Sequence, residues 1–416
     1  MEKDNSRNRM FCLKNVNYFN ENKKFKNGDV YISSGHISKI KDAEKSTDEG
    51  YIPIDASGKY AQPGYINAHL HPSKELYMGL SLYDPISNVL DAVHKNNISE
   101  SNESQYHASV SSLHKQILNG VTGVGIFTSR PSVDAEAALN IGIRANIQYA
   151  VNDTWVGKES IPVIQEQNDI IENFSRIYQK YTSELISVSP ATASEISCSD
   201  NLLKLLNKLA KDHDSFFSMH INEGKHQSDQ CFEYFNKSGL ERLESLGILD
   251  SHVNLIHCCH INNEDVNIIN RNPTANIIHC PISNSFVGAG TLPTYRIRNN
   301  IALGTDAAMV NPSNSINSDA LFALYHHGDD GFDKKLSSEN LIDMVTINGA
   351  KCLGMTKSGY IREGFSADIL LYNNNDHLKF DESISDINKF IINMINKKPE
   401  HVFVQGKHLV DNFKLA

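Results

Sequence analysis

The sequence lacks the features of a membrane protein, of a secreted protein and of a general nucleic-acid binder. No uninterrupted apolar run approaches the ~18 residues that suggest a membrane-spanning helix. The first residues, MEKDNSRNRMFCLKNV, contain no apolar core of a secretory signal. Lysine and arginine number 39 against 49 acidic residues, a formal charge of −10, so the basic excess that binds a phosphate backbone is missing. We therefore expect a cytoplasmic protein that binds neither membranes nor nucleic acid.

The cysteines also form no recognisable framework. There are seven, an odd number, and no two are spaced as CxxC. This number and spacing favour neither a disulfide scaffold nor a zinc site with thiolate ligands. A reducing compartment is the simplest location for such a protein. The adjacent Cys258 and Cys259 would point to opposite faces of a strand, so we expect them in the core rather than at a metal. The H-x-E and P-C-x-x-C signature of one zinc deaminase class is absent as well.

The sequence does contain a change in the predicted secondary-structure pattern along the chain. The first sixty residues alternate short β-like runs with Gly, Asn and Asp turns. From about Gly64 short apolar runs alternate with helical stretches such as Asp200–Asp212 and Ser338–Leu353, and after Met355 short strands return. Alternation of this kind predicts a parallel α/β barrel. We expect one small β domain built from residues 1–60 and 356–416, and a (β/α)8 barrel over residues 61–355.

Several predicted barrel strands end in residue types that bind metals. In GYINAHLH, His69 and His71 are two residues apart and so lie on one face of a strand. Later runs end in further histidines and carboxylates: His220 followed by Glu223, His257, His279 and Asp306. The carboxyl ends of barrel strands surround one active-site mouth. Three histidines and an aspartate there would suit Zn²⁺ or Fe²⁺.

Two of these assignments have competitors. His257 and His260 both follow the apolar run VNLI, and His257 is favoured because it ends the run directly. His279 is better interpreted as a structural histidine under the mouth than as a ligand. A close histidine pair taken alone is more often structural than metal-binding, so the interpretation depends on the whole set.

Seven segments form an ordered series: PGYINAHLH, MHINE, HCCHIN, HCPISN, LGTDAA, TINGAKCLG and EGFSADILLYN. Together they resemble successive motifs of the amidohydrolase superfamily, in the branch that holds guanine, cytosine and adenosylhomocysteine deaminases and triazine hydrolases. The resemblance runs from about Gly28 to the C-terminus. It implies a distorted (β/α)8 barrel with a small β-sandwich formed by both termini.

The resemblance also implies roles for individual residues. It makes His69, His71, His220 and Asp306 the metal ligands. It makes Glu223 the acid that shuttles protons, and His257 a residue that orients or polarises the reacting groups, with Asp306 serving also as a base. Many superfamily members bridge two metals with a modified lysine on the fourth strand, but ELISVSPAT has no lysine. We therefore expect one divalent metal ion per chain, Zn²⁺ before Fe²⁺.

Substrate contacts are where the chain departs from its relatives. Many relatives carry Arg-Gly where this chain has Met78-Gly79. Guanine deaminases carry a glutamine at the position of Lys74 and an arginine at the position of Ala191. Guanine is therefore disfavoured as the substrate. Lys74 and Trp155 are the candidate substrate contacts, and two further residues near strand ends, Phe127 and Glu195, are candidates for the pocket wall.

The functional hypothesis is a metal-dependent aminohydrolase, a hydrolase of C–N bonds other than peptide bonds, which releases ammonia from an aminated nitrogen heterocycle. Two alternatives stay open. The same site would also suit hydrolysis of an amide, a C–Cl or an N-alkylamine bond, and a barrel of this kind can bind a ligand without turnover. A homodimer is compatible with the sequence but not indicated by it.

Overall fold

The computed structural model describes residues 9–44, 46–80, 84–328, 336–373 and 383–416. Within these ranges the strands form two sheets, one built from the central part of the chain and one from both ends. The N-terminal strands are β1 (Met10–Phe19), β2 (Phe25–Ser33), β3 (His36–Lys41), β4 (Tyr51–Asp55) and β5 (Tyr60–Pro63).

The central sheet is parallel throughout. Its strands are β6 (Tyr65–His71), β7 (Val121–Thr128), β8 (Arg144–Val151), β9 (Ile186–Thr192), β10 (Phe217–Ile221), β11 (Val253–His257), β12 (Asn276–His279), β13 (Ile301–Leu303) and β14 (Asp306–Ala307). The strands are almost wholly buried, as expected for a parallel sheet covered on both faces.

Two short strands close this sheet into a barrel. β13 pairs with β12, and β14, two residues further on, pairs with β6 at the opposite end of the sheet. The residues between them bridge the gap, since Gly304 N donates to His279 O at 2.9 Å and Thr305 N donates to His69 O at 3.0 Å. β13 and β14 therefore act together as the eighth strand, and the predicted (β/α)8 barrel is confirmed.

Gly304 permits this closure because it has no side chain. A Cβ atom at this position would lie 2.7 Å from the Cβ of His69, closer than real Cβ atoms approach other carbons. The eighth strand can therefore lie against the first only if residue 304 is glycine. That contact also brings Asp306 beside His69 and His71.

The helices follow the strands around the barrel. They are α1 (Ile86–Ser99), α2 (Asn102–Leu118), α3 (Pro131–Ile141), α4 (Gln167–Tyr181), α5 (Asp200–Asp212), α6 (Lys225–Phe235), α7 (Gly239–Ser245), α8 (Asn263–Arg271), α9 (Pro281–Phe286), α10 (Ile316–His326), α11 (Ser338–Val345), α12 (Ile347–Cys352) and α13 (Asp386–Asn396). None of these helices is long and apolar enough to cross a membrane, a statement that covers the described residues only.

The stretch Ser338–Leu353, predicted to be helical, forms two helices in the structure, α11 and α12. The chain leaves the helical conformation at Thr346, where φ is −128° and ψ is −98°, and α12 starts at the next residue. The break lets Gly349 pack directly on β6, since a Cβ at this position would come within 2.8 Å of the Cβ of Ile66. A contact between elements far apart in sequence thus overrides the local helical pattern.

The second sheet joins the two ends of the chain. Its C-terminal strands are β15 (Ile369–Tyr372), β16 (His401–Val404), β17 (Lys407–Asp411) and β18 (Lys414–Leu415). Among the described strands the order is β18-β17-β16-β15-β5-β1-β2-β3, with β4 also paired to β1. The predicted sheet from both termini is therefore confirmed. β5 belongs to it and β6 to the barrel, so the chain crosses between them at Gly64, a few residues after the predicted boundary at residue 60.

A buried ion pair ties this second sheet to the barrel. Arg144, at the start of β8, donates hydrogen bonds to Asp368 and Ser358, and the other carboxylate oxygen of Asp368 accepts from Gln405 N at 2.9 Å. Both charged side chains are buried. Because a charge left without its partner in such a place is costly, the pair constrains how the two sheets meet.

We expect Asp368→Asn to lower the free energy of unfolding by about 3–5 kcal/mol, because the Arg144 charge stays buried without its counter-charge. Urea unfolding followed by circular dichroism measures this loss. The control is Lys208→Ala in the exposed pair with Asp212, which should leave the unfolding midpoint almost unchanged. An unchanged midpoint for Asp368→Asn would contradict the proposed tie.

Candidate active site

Four of the predicted site residues converge at the carboxyl ends of three barrel strands. His69 and His71 come from β6, His220 from β10 and Asp306 from β14. The Nε2 atoms of His69 and His220 are 3.2 Å apart. Asp306 Oδ1 lies 3.5 Å from His69 Nε2 and 3.4 Å from His71 Nε2. His69 therefore belongs to two overlapping groups of possible metal ligands, one with His71 and Asp306 and one with His220 and His257.

This arrangement fits a divalent metal ion. Ligand atoms about 2.0–2.1 Å from a zinc ion in tetrahedral geometry lie about 3.3 Å from one another. Three separations agree with this value: 3.2 Å between His69 and His220, 3.5 Å between His69 and Asp306, and 3.4 Å between His71 and Asp306. Nitrogen and carboxylate oxygen donors also suit zinc or iron.

His71 and His220 are neutral, and His220 presents a lone pair rather than a proton to the cluster. His220 Nδ1 donates to the carbonyl of Ala193 at 2.6 Å, which leaves Nε2 as the free lone pair. Burial, together with the neighbouring His69, lowers the pKa of His71 to about 3 and holds the pKa of His220 well below its usual range. Both rings are therefore neutral at physiological pH, the state that binds a metal.

Asp306 is ionised, and its two carboxylate oxygens have different partners. Burial opposes its ionisation, but the hydrogen bond with His69 and the adjacent imidazoles hold its pKa well below the usual range. Ser283 Oγ donates to Asp306 Oδ2 at 2.6 Å, while Oδ1 faces the histidine nitrogens. Ser283, in α9 and in the segment HCPISN, thus supports the site from behind.

Glu223 reaches the site because the backbone turns sharply before it. Asn222 has a φ of +47°, in the left-handed region, and its N–H donates to Glu195 Oε1 at 3.0 Å. Strand periodicity alone would turn Glu223 away from the ligands. After the turn its carboxylate lies within 4.8 Å of donor atoms of His257 and Asp306. Burial and the neighbouring carboxylates of Asp306 and Glu195 raise its pKa well above the usual range, which favours the protonated form of Glu223.

The structure places His257 in the cluster and His260 outside it. His257 Nε2 is 3.8 Å from Glu223 Oε1, and its ring centroid is 5.3 Å from that of His220. Its Nδ1 donates to Asn284 Oδ1 at 2.8 Å, which fixes the ring and leaves Nε2 facing the site. Burial lowers the pKa of His257 to about 4, so it is neutral. His260 is exposed.

The other predicted residues lie around the cluster. His279 is buried beneath the mouth, with Nε2 3.1 Å from His327 Nε2, and is not close to the ligand atoms. Cys258 is buried and Cys259 partly buried, and neither belongs to a metal-binding group among the described residues.

A cavity of about 340 Å³ opens above the cluster. Lys74 and Trp155, the candidate substrate contacts, both line it, and so does Phe127, whose ring centroid is 4.4 Å from that of His220. Lys74 Nζ also pairs with the buried Glu100 at 3.0 Å. The polar part of the wall combines ionisable side chains, among them Arg130 and His94, with amides and hydroxyls from Gln105, Thr128, Asn152, Gln165, Ser194 and Gln227. Glu195 does not line this cavity but holds the turn at Asn222.

Sequence reasoning missed the apolar wall of the cavity. Ile86, Val89, Leu90 and Val93 of α1 line it, opposite Met309 and Val310. Their spacing of i, i+3, i+4 and i+7 is the helical signal that could have identified this face. That spacing does not distinguish a helix face that covers a cavity from one that packs into the core.

Comparison with known proteins gives matches over nearly the whole chain. The model of the amidohydrolase family matches residues 60–409. A 5-methylthioadenosine/S-adenosylhomocysteine deaminase from Aquifex aeolicus is 27% identical over 397 residues, which cover 93% of this chain and 89% of the relative.

Two solved structures are similar to the chain in fold. An atrazine chlorohydrolase from Arthrobacter aurescens TC1, complexed with zinc, has a TM-score of 0.87 at 18% identity, with 98% of this chain and 96% of the other covered. An adenosine deaminase from Xanthomonas campestris with bound zinc has a TM-score of 0.85 at 17% identity, with coverage of 98% and 94%.

We expect His220→Ala to lose the metal and the activity together, because it removes one of four donors from a buried site. Elemental analysis of protein dialysed against metal-free buffer measures the first, and a turnover assay the second. His260→Ala is the control and should retain both. The site assignment is wrong if His260→Ala loses the activity and His257→Ala keeps it.

Proposed function

The chain belongs to the amidohydrolase family, and we propose that it is a metal-dependent aminohydrolase that releases ammonia from an aminated nitrogen heterocycle. The family predicted from the motifs is thereby confirmed. The observation that carries the proposal is the position of the buried Glu223 beside Asp306 and His257, in surroundings that raise its pKa and favour its protonated form. The relative from Aquifex aeolicus is named as a deaminase, which supports the same class of reaction.

The metal in this proposal is a single catalytic ion held by His69, His71, His220 and Asp306. Zn²⁺ is the first choice and Fe²⁺ the second. Zinc is favoured because two proteins of the same fold are described with zinc. One ion is favoured because β9, the fourth barrel strand, contains no lysine that could bridge a second ion. Bound there, a divalent metal lowers the pKa of water from about 16 to about 7 and so supplies a nucleophile at neutral pH.

The protein residues then move the protons. The Asp306 carboxylate accepts the proton of the attacking water, and neutral His257, fixed by Asn284, orients the attack. Glu223 begins with a proton because of its raised pKa, and it protonates a ring nitrogen as the carbon becomes tetrahedral. The proton collected from the water goes to the amino group, which leaves as ammonia. As the carbonyl forms, the remaining hydroxyl proton goes to Glu223 and restores its starting state. Two carboxylates with pKa values displaced in opposite directions thus divide the roles of acid and base.

The cavity supports a flat, mostly apolar substrate. Its volume of about 340 Å³ lies in the range of small-molecule sites. The aliphatic side chains of α1 on one side and Phe127 and Trp155 on others suit an aromatic ring, and the amides supply hydrogen bonds to its edge. Because the similar deaminase is named for adenosine derivatives, 6-aminopurine nucleosides are the first substrates to test. Lys74 and Trp155 are the proposed substrate contacts.

We expect zinc-loaded protein to release ammonia from at least one compound of a panel of aminopurine nucleosides, aminopurines, aminopyrimidines, pterins and aminotriazines. A coupled ammonia assay measures this, with the His220→Ala variant as the blank for non-enzymatic release. Turnover of a chloro- or alkylamino-triazine without ammonia release would favour the alternative hydrolase. No turnover of any compound would contradict the aminohydrolase proposal.

We expect Glu223→Gln to retain the metal and the fold but to lose about 10²–10⁴-fold in kcat, because glutamine keeps the size of the side chain and removes its transferable proton. Steady-state kinetics and elemental analysis measure the two properties. Glu233→Gln, at an exposed glutamate of α6, is the matched control and should behave as the parent protein. Loss of the metal from Glu223→Gln would make Glu223 a ligand, and near-full turnover would exclude the proposed mechanism.

A further inference from the structure

A second group of side chains of the types that bind metals lies in the C-terminal sheet. β16 and β17 form an antiparallel pair in which Val402 faces Val410 and Phe403 faces His408, with a shift of register between these two pairs. The shift brings the end of β17 beside the start of β16. As a result His401, His408 and Asp411 converge, although they belong to no motif of the active site.

The donor atoms of these three residues are close together. His401 Nδ1 lies 3.1 Å from His408 Nε2 and 3.2 Å from Asp411 Oδ1. If each were about 2.0–2.1 Å from a shared ion, these separations would correspond to ligand–metal–ligand angles of about 100°. Such angles are close to tetrahedral.

Hydrogen bonds among these three side chains do not satisfy all of their donor and acceptor atoms. Burial lowers the pKa of His401, and burial with the neighbouring His401 lowers the pKa of His408 to about 4, so each ring is neutral and carries one N–H. The His408 ring also makes a hydrogen bond with the backbone of Val410. If that bond uses the N–H of His408, its Nε2 and the Asp411 carboxylate are both acceptors that face one nitrogen of His401. Asp411 Oδ1 also accepts from the side-chain amide of Asn412 at 2.9 Å. A single N–H of His401 still cannot serve both His408 Nε2 and Asp411 Oδ1, whereas a cation would contact all three atoms.

The surroundings hold the rings in place. The His408 ring stacks on Phe403, with centroids 4.4 Å apart and planes 9° from parallel. On the far side of His401, Nε2 lies 3.9 Å from Glu400 Oε1, whose carboxylate is itself paired with Lys59. Packing of this kind orients a ligand before the ion arrives. The side chain of Asp411 is 53% exposed, so water can reach the group and complete the coordination.

We propose that His401, His408 and Asp411 form a second metal site, separate from the active site, that binds a divalent transition-metal ion such as Zn²⁺. Two imidazoles and a carboxylate are ligands that zinc shares with nickel and copper. The ion would join the first residue of β16 to the last residue of β17 and so act as a clip on the C-terminal hairpin. Because one ligand is half-exposed and one position is left to water, the clip releases its ion more readily than the active site.

The test is a calorimetric titration of the dialysed, zinc-loaded protein with Zn²⁺. We expect the parent protein to bind one further equivalent, and His408→Ala and Asp411→Asn each to lose that equivalent while they keep the parent turnover. His408 and Asp411 are chosen because they are less buried than His401, so their replacement spares the core. His260→Ala, which removes an exposed histidine elsewhere, should bind as the parent does.

Thermal unfolding provides the second measurement. An ion that binds only the folded state raises the melting temperature. Added Zn²⁺ should therefore raise the melting temperature of the parent protein and of His260→Ala, and leave that of His408→Ala unchanged. The proposal is overturned if the parent protein takes up no further equivalent, or if His408→Ala and Asp411→Asn take up the same equivalent with the same shift.

Discussion

The contact between the eighth barrel strand and the first is the constraint on which the site depends. Gly304 lies against His69, and Thr305 donates its N–H to the carbonyl of the same residue. Directly after this contact Asp306 adopts a φ of +63°. Left-handed backbone of this kind costs on the order of 1–3 kcal/mol in a residue other than glycine. Closure of the barrel holds the chain in that conformation, and the same closure sets the distance between the carboxylate and the two histidines of β6.

The fold and the centre of the site were predictable because their signals are local. Apolar runs that end in His, Glu or Asp mark strand ends. At His220, for example, the apolar run and the residue that ends it can both be identified from the sequence alone. The helix Asp200–Asp212 was predicted with its observed bounds, since it begins after a serine cap and has a regular apolar face. The preference for His257 over His260 followed from strand length, and the structure places His257 in the cluster.

The remainder depends on contacts between distant parts of the chain. The break at Thr346 results from the approach of Gly349 to β6, which no local pattern contains. The apolar face of α1 was visible, but which helix covers the mouth is decided by packing. Lys74 was a candidate contact, yet its pairing with Glu100 joins residues 26 positions apart and became visible only in three dimensions. The roles of the individual site residues remain predictions until the variants are measured.

The outer wall of the cavity is attached differently from the catalytic cluster. Ser160, in the segment after β8, donates its N–H and hydroxyl to Asp91 at 3.1 Å and 2.6 Å, and its carbonyl lies 2.6 Å from His94 Nδ1. α1 is thus fastened to a neighbouring connection by polar contacts and packs on the apolar residues that follow Asp306, whereas the proposed ligands stand on the barrel strands. Its cavity-facing side chains can therefore be exchanged, and with them the shape of the molecules admitted, without replacing a residue of the histidine–aspartate cluster.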